Sequence, residues 1–141
     1  MTAKEYLKQG YRLDKKINSD LTELEQLRTM VSNISSPGFD EHHNPSTQTE
    51  ASFVRVLEKA WKMEEKLNAE IDVLVDLKEQ IRGVIDGVPD PNERMVLRYR
   101  YIHNMTWEKI SEELHAGETS IRRWHRTALS HVVLPKKPII I

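Results

Sequence analysis

The sequence contains no cysteine among its 141 residues, and this absence excludes several classes of protein. Without cysteine there is no disulfide scaffold, no thiolate-bound zinc and no thiol nucleophile. Aromatic residues are scarce, at 6%, and no apolar run is long enough to cross a bilayer. The residues that follow Met1 include charged side chains and no apolar segment typical of a secretory signal. We therefore expect a cytoplasmic protein of one domain or two very small ones, with no membrane partner.

The common catalytic motifs are also missing. There is no glycine-rich phosphate loop, no HExxH pair and no GxSxG sequence. Adjacent glutamates such as Glu112 and Glu113 are typical of solvated helix faces. His42 and His43 lie among small polar residues, where adjacent side chains lack the fixed geometry of metal ligands. The sequence predicts a protein that is not an enzyme and that has no cofactor and no metal site.

Charges of opposite sign balance over the whole chain but not within its two halves. Residues 1–88 carry 12 basic and 16 acidic side chains, whereas residues 89–141 carry 9 basic and 6 acidic ones. Residues 119–137 hold five basic side chains and no acidic one. Such a segment indicates an anionic partner, although basic residues also suit the negative end of a helix dipole.

Two stretches of the N-terminal half have the apolar spacing of long helices. Apolar residues that recur three or four positions apart line one side of a helix, which burial then removes from water. The first predicted seam consists of Tyr6, Gly10, Leu13, Ile17, Asp20, Leu24, Leu27, Val31 and Ile34, widened by Leu7 and Leu21. The second consists of Leu57, Ala60, Glu64, Leu67, Ile71, Leu74, Lys78, Ile81, Ile85 and Val88, with Phe53, Trp61, Leu77 and Val84 on its flank.

The segment between the two stretches predicts a loop. Residues 35–49 contain two prolines, a glycine and many small polar side chains. A loop of this length allows the helices to fold back as an antiparallel, coiled-coil-like hairpin. A lone hairpin has a single seam and is marginally stable. We therefore expect it to pack against the C-terminal helices or to form a homo-oligomer through residues 6–34 and 53–88.

The C-terminal half predicts three short helices. Asp90 followed by Pro91 is a typical helix start, and Thr106 is the N-cap candidate of the next helix. Residues 115–117 form a short break before a third helix at about residues 119–130. Two short helices around a three-residue turn have the geometry of a helix-turn-helix. The predicted organisation is thus all-α, with a hairpin over 1–88, a helix-turn-helix module over 89–134 and a tail over 135–141.

The helix-turn-helix interpretation assigns a role to each face of the last two helices. The positions that the motif buries are occupied by Ile110, Leu114, Ala116, Ile121 and Trp124. The outward positions that we predict to contact DNA are Thr119, Ser120, Arg122, Arg123 and Arg126. Arginine suits bidentate pairing with phosphate or with guanine edges in the major groove. Lys136 and Lys137 either add two phosphate contacts or belong to a soluble tail.

These residues resemble a known group of proteins. Residues 92–101, 105–114, 120–121 and 128–129 are similar to the fourth conserved region of bacterial sigma factors. The whole chain resembles small phage-encoded proteins of Gram-positive bacteria, among them the ArpU- and RinA-like activators of late genes. The resemblance implies a regulator of phage transcription in the bacterial cytoplasm, which binds double-stranded DNA and contacts host RNA polymerase.

The sequence departs from that pattern at three positions and leaves other functions open. Ser111 stands where alanine is usual, Trp124 is larger than the usual core residue, and His115 occupies a turn position often held by glycine. A left-handed conformation at His115 costs roughly 1–2 kcal/mol, unless Gly117 absorbs the bend. The alternatives to a transcription regulator are a DNA-packaging or assembly protein, like the oligomeric small subunit of a terminase, and a polymerase-binding module that does not touch DNA.

Overall fold

The computed structural model describes the backbone of residues 1–34 and 47–141 and the side chains of residues 1–33 and 51–141. Within these ranges the chain forms five α-helices and no β-strand, so the all-α prediction is confirmed. The helices are α1 (Ala3–Ile34), α2 (Thr47–Asp86), α3 (Pro91–Leu97), α4 (Trp107–Leu114) and α5 (Glu118–His131). A π-helical segment, Arg98–Ile102, continues α3. None of the helices described is both long and apolar enough to span a membrane.

The predicted loop is shorter at its C-terminal end than the sequence indicates. Helix α2 already begins at Thr47, so the last three residues of the predicted segment 35–49 are helical. The small polar residues at this end are typical of loops. However, the residue before Thr47 in the sequence is a serine, a residue type that favours a helix start directly after it. The remaining residues of that loop, His42 and His43 among them, lie outside the described residues.

Hydrogen bonds from side chains fix where the helices begin. The Thr2 amide donates to Glu5 Oε2 (2.8 Å) and the Glu5 amide donates to Thr2 Oγ1 (3.2 Å), a complete capping box ahead of α1. As predicted, Asp90 caps α3 by accepting from two backbone amides, with Pro91 in the first turn. Thr106 caps α4 by accepting from the amide of Lys109 (3.2 Å), as the sequence also predicts.

The chain divides into two compact units. One, which we term the terminal unit, combines Met1–Asp14 with Val73–Ile141, and the other, the hairpin unit, is Lys15–Asp72. This division differs from the predicted boundary at residue 88. The reason is that the start of α1 and the end of α2 contribute side chains to the same core as the C-terminal helices.

Within the hairpin unit the two long helices run antiparallel. Lys16 Nζ lies 3.2 Å from Glu70 Oε1, and Arg28 further along α1 pairs with Glu64 further back on α2. Most seam residues of this unit are buried or half-buried. Two predictions are wrong in detail, because Leu21 and Ile71 are 45% and 38% exposed. At this point of α2 the residue that faces α1 is the half-buried Glu70, which pairs with Lys16, and not Ile71.

The terminal unit holds the larger apolar core. Tyr6 and Leu7 of α1 have no exposed surface and pack in one cluster with the end of α2, with α3, with the π-helical segment and with α5. The other buried members are Leu77, Ile81, Ile85, Val88, Leu97, Tyr101, Ile102 and Ala128. The predicted flank residue Leu77 is thus a core residue. Tyr6 and Leu7 thus anchor the first two turns of α1 in the core. Lys4 and Lys8, which lie on these turns, are therefore held next to α5.

Two glutamines hold the C-terminal tail against the terminal unit. Gln9 Nε2 donates to the carbonyl of Ile139 (2.8 Å), and Gln9 Oε1 accepts from the amide of Ile141 (2.9 Å). Gln80 Oε1 accepts from the amide of Ile139 (2.9 Å) and from the hydroxyl of Tyr6 (2.7 Å). Burial raises the pKa of Tyr6 to about 12, so that hydroxyl keeps its proton and donates. The tail is therefore packed against the protein, and Ile139 contacts its core.

Candidate nucleic-acid interface

Helices α4 and α5 are joined by a tight turn whose strain falls on one residue. His115 adopts the left-handed conformation (φ 51°, ψ 44°), whereas Gly117 does not. The amide of His115 donates to the carbonyl of Glu112 (3.4 Å), and the amide of Ala116 donates to the carbonyl of Ser111 (3.2 Å). This pattern is the Schellman motif of helix C-termini. The Ser111 hydroxyl also donates to the carbonyl of Ala116, so this side chain stabilises the turn.

Replacing His115 with glycine is expected to stabilise the protein slightly. The left-handed conformation costs a non-glycine residue roughly 1–2 kcal/mol, while glycine loses about 0.5–1 kcal/mol of additional chain entropy. His115 is exposed, so little packing is lost. We expect the free energy of unfolding in urea to rise by up to about 1 kcal/mol. A decrease for His115→Gly, with no decrease for His115→Ala, would contradict the conformation described here.

A small apolar cluster packs α3, α4 and α5 together. Ile110 and Ile121 are fully buried, in contact with Val96 of α3. Leu114, Ala116 and Trp124 are half-buried against them. All five residues that the sequence assigns to the inner face of the motif thus lie in one cluster. The large side chain of Trp124 is accommodated because part of it is exposed to solvent.

The predicted DNA-contacting residues of α5 divide between two sides of the helix. Thr119, Arg122, Arg123 and Arg126 are exposed, whereas Ser120 is half-buried. Arg122 and Arg126 are one turn apart and both line a cavity of about 360 Å³. Arg123 lies about 100° further around the helix and does not line this cavity. Lys136 and Lys137 are exposed on the tail and lie outside the cavity.

The cavity next to α5 is lined by basic and aromatic side chains. Its lining residues are Lys4, Lys8, Arg100, Tyr101, Trp107, Arg122, His125, Arg126 and Leu129. An adjoining cavity shares Lys8 and Arg100 and adds Arg12. Neither cavity has an acidic residue in its lining. Within residues 1–33 and 51–141, no acidic side chain forms an ion pair with Lys4, Lys8, Arg122 or Arg126. We term the cavity next to α5, with the nine residues that line it, the basic cavity.

Two arginines of the basic cavity lie over the same tryptophan. The guanidinium carbon of Arg100 is 4.3 Å from the centroid of a ring of Trp107, and that of Arg122 is 5.4 Å from it. Arg100 Nη1 also donates to the carbonyl of Met105 (2.9 Å). Cation–π contacts of this kind are worth about 0.5–2 kcal/mol each. They hold both guanidinium groups at the cavity, so Trp107 organises the cations as well as packing against the core.

The floor of the cavity contains a buried histidine that stays neutral. His125 is 7% exposed, and its Nε2 lies 2.6 Å from the hydroxyl of Tyr101. Burial, and after it the charges of Lys4, Arg100 and Lys8, together lower the pKa of His125 to about 4. Burial raises the pKa of Tyr101 to about 12. The tyrosine hydroxyl therefore donates to an unprotonated His125 Nε2.

The contribution of α1 to this surface is absent from the sequence-based prediction. Counting charges over residues 1–88 hides Lys4, Lys8 and Arg12 within an acidic half. Their spacing of four residues, which places them on one side of a helix, is the signal that identifies them. Asn104 Nδ2 donates to Asp14 Oδ2 (2.9 Å) and so ties this part of α1 to the segment that precedes α4.

Comparison with known proteins assigns the chain to a family. No group of three or more side chains suited to a metal ion occurs among the residues that the structure describes. No curated protein and no solved structure matches the sequence. Residues 5–132 match a family described as "Protein of unknown function (DUF722)", and this range includes all of α2 to α5, α1 from its third residue onward, and every lining residue of the basic cavity except Lys4. The chain therefore belongs to the DUF722 family.

Proposed function

We propose that this protein is a sequence-specific DNA-binding transcription regulator of phage genes, with α5 in the major groove. The observation that carries the proposal is the set of cations on and beside α5, which no acidic side chain of the cavity lining neutralises. Net positive surfaces of this kind attract the phosphate backbone. The arrangement of α4, turn and α5 also supports it, because helix-turn-helix proteins present their second helix in this way.

The exposed ridge of α5 has the chemistry for reading bases. Thr119 and Arg123 are both exposed, about 40° apart around the helix. An α-helix fits the width of the major groove, and an arginine there pairs with O6 and N7 of guanine. We assign base reading to Arg123, with Thr119 and the half-buried Ser120 beside it. Lys136 and Lys137 are assigned to phosphate contacts.

Self-association and contact with RNA polymerase complete the proposal. Trp61 and Val54 lie one heptad apart on α2 and are 58% and 49% exposed. Large exposed apolar side chains at this spacing favour pairing with another helix. Two copies joined through α2 would bind two half-sites, as helix-turn-helix dimers do. Contact with host RNA polymerase rests on the resemblance to the fourth region of sigma factors.

The same exposed residues of α2 favour a second candidate function. A DNA-packaging protein like the small subunit of a terminase would use the long helices to form a ring of several copies. Light scattering separates the two candidates, since a dimer supports the regulator and a larger closed ring supports the packaging protein. Polymerase binding without any salt-dependent DNA binding would instead support an interaction module.

Selection of DNA from a random pool, followed by binding measurements on single substitutions, tests the proposed function. We expect Arg123→Ala to lower affinity for the selected sequence by about tenfold or more and to relax the base preference, because a bidentate arginine discriminates by about 1–3 kcal/mol. We expect Lys136→Ala to weaken binding to all sequences equally and to reduce the salt slope by about 1. Failure to enrich any sequence, or an unaltered preference in Arg123→Ala, would contradict the assignment.

A further inference from the structure

We propose that the basic cavity seats a phosphate of the DNA backbone, which makes the first three turns of α1 part of the DNA-binding surface. This inference rests on the proposed function and extends it to residues far from α5 in the sequence. It also divides the arginines of α5 into two roles. Arg122 and Arg126 would contact the phosphate, and Arg123 would read bases.

The convergence of like charges is the first argument. Lys4 and Lys8 from α1, Arg100 from the π-helical segment, and Arg122 and Arg126 from α5 meet around one cavity of about 360 Å³. Like charges brought together in this way repel one another, and an anion between them offsets that repulsion by attracting each of them. The lining of the cavity provides no carboxylate for this purpose. The arrangement therefore has the electrostatics of a site for an anion from outside the chain.

The rigidity of the cavity is the second argument. The guanidinium groups of Arg100 and Arg122 are held over Trp107, and the capping box of Thr2 and Glu5 fixes the turn that carries Lys4. Cations positioned in advance lose less side-chain entropy when they bind an anion. Burial is the main cause of the lowered pKa of His125, and the charges of Lys4, Arg100 and Lys8 lower it in the same direction, as expected beside a cluster of cations.

The position of the cavity identifies the anion. Arg126 lines the cavity and lies about 60° around α5 from Arg123, on the exposed part of the helix. A recognition helix in the major groove is flanked by the sugar–phosphate backbones, which helix-turn-helix proteins contact beside their base-reading residues. A phosphodiester is thus the anion that reaches this cavity when α5 occupies the groove.

The test uses the full chain and two matched double variants. Lys4→Gln/Lys8→Gln removes two cations from the basic cavity, and Lys59→Gln/Lys62→Gln removes two exposed cations from α2. Affinity for a duplex of random sequence is measured over a range of salt concentrations. We expect the first variant to bind about tenfold more weakly or worse at about 0.1 M salt, with the salt slope reduced by up to about 1. The control should bind like the unmodified chain.

Further measurements make each outcome decisive. Unchanged melting temperatures show that the variants fold, and Lys4→Arg/Lys8→Arg should retain the affinity and the salt slope. DNA binding that Lys4→Gln/Lys8→Gln leaves unaltered would overturn the inference and leave the proposed function standing. Absence of DNA binding by the unmodified chain would refute the proposed function itself. The indole NMR signal of Trp107 reports whether pyrophosphate binds in the cavity. If pyrophosphate binds there and DNA does not displace it, the cavity is a site for small anions, and the inference is overturned.

Discussion

Replacing Arg122, Arg123 and Arg126 together with glutamine is expected to reduce DNA affinity by about a thousandfold at physiological salt. Each phosphate contact that is lost lowers the number of counterions released on binding by about 0.9, and the affinity decreases accordingly. The lost base contact adds about 1–3 kcal/mol for the preferred sequence. All three side chains are exposed and their substitution leaves the apolar cluster intact, so the variant should fold. Fluorescence anisotropy with labelled duplex measures the loss.

A matched control separates the position of these charges from their number. Arg55, Lys59 and Lys62 are three exposed cations of α2, and their replacement with glutamine changes the net charge by the same amount. We expect this control to bind DNA with close to the unmodified affinity. Equal losses in both variants would show that total charge alone governs binding. An unchanged affinity in the α5 variant would refute the assignment of α5 to the DNA.

The terminal unit is expected to lose about 2 kcal/mol of its free energy of unfolding between pH 7 and pH 5 through His125. The folded protein holds the pKa of this residue at about 4, because of burial and then of Lys4, Arg100 and Lys8, whereas the unfolded chain has the ordinary value of 6.5. Between these two values only the unfolded chain binds the proton, so stability falls as the pH decreases. The contribution is fully present above pH 6.5, and about 3 kcal/mol is lost by pH 4.

Comparison with the variant His125→Gln separates the contribution of His125 to the pH dependence of stability from the contributions of other titrating groups. Glutamine retains an acceptor for the hydroxyl of Tyr101 and carries no titratable proton. We expect the variant to be less stable at pH 7 and to show a pH dependence about 2 kcal/mol smaller over the same range. Urea unfolding followed by near-ultraviolet circular dichroism measures both proteins. The same pH dependence in both would show that His125 titrates normally and is not buried as described.

Features that depend on neighbouring residues in the sequence were predictable. The helix starts at Asp90 and Thr106 follow from cap residues placed directly before apolar periodicity, and the structure has both caps. The packing of Ile110 against Ile121 follows in the same way from spacing along two adjacent helices. Local sequence determines such features because the groups that satisfy them lie within one or two turns.

Features that depend on contacts across the sequence were not predictable from it. The basic cavity requires Lys4 and Lys8 to lie next to α5, more than a hundred residues away, and the charge count of the N-terminal half conceals them. The tail is held by Gln9 and Gln80, whose amide groups give no periodic signal. The sequence allows a left-handed conformation at either His115 or Gly117, and only the three-dimensional turn shows that His115 adopts it.

The central claim is that α5 and the basic cavity together form a surface for double-stranded DNA. The most direct test is to follow the backbone amide NMR signals of the whole chain while duplex DNA is added at low salt. We predict that the signals that shift belong to the start of α1 up to Arg12, to residues 100–107, to residues 119–126 and to Lys136 and Lys137. Shifts confined to residues 15–72, or no shifts with any duplex, would contradict it.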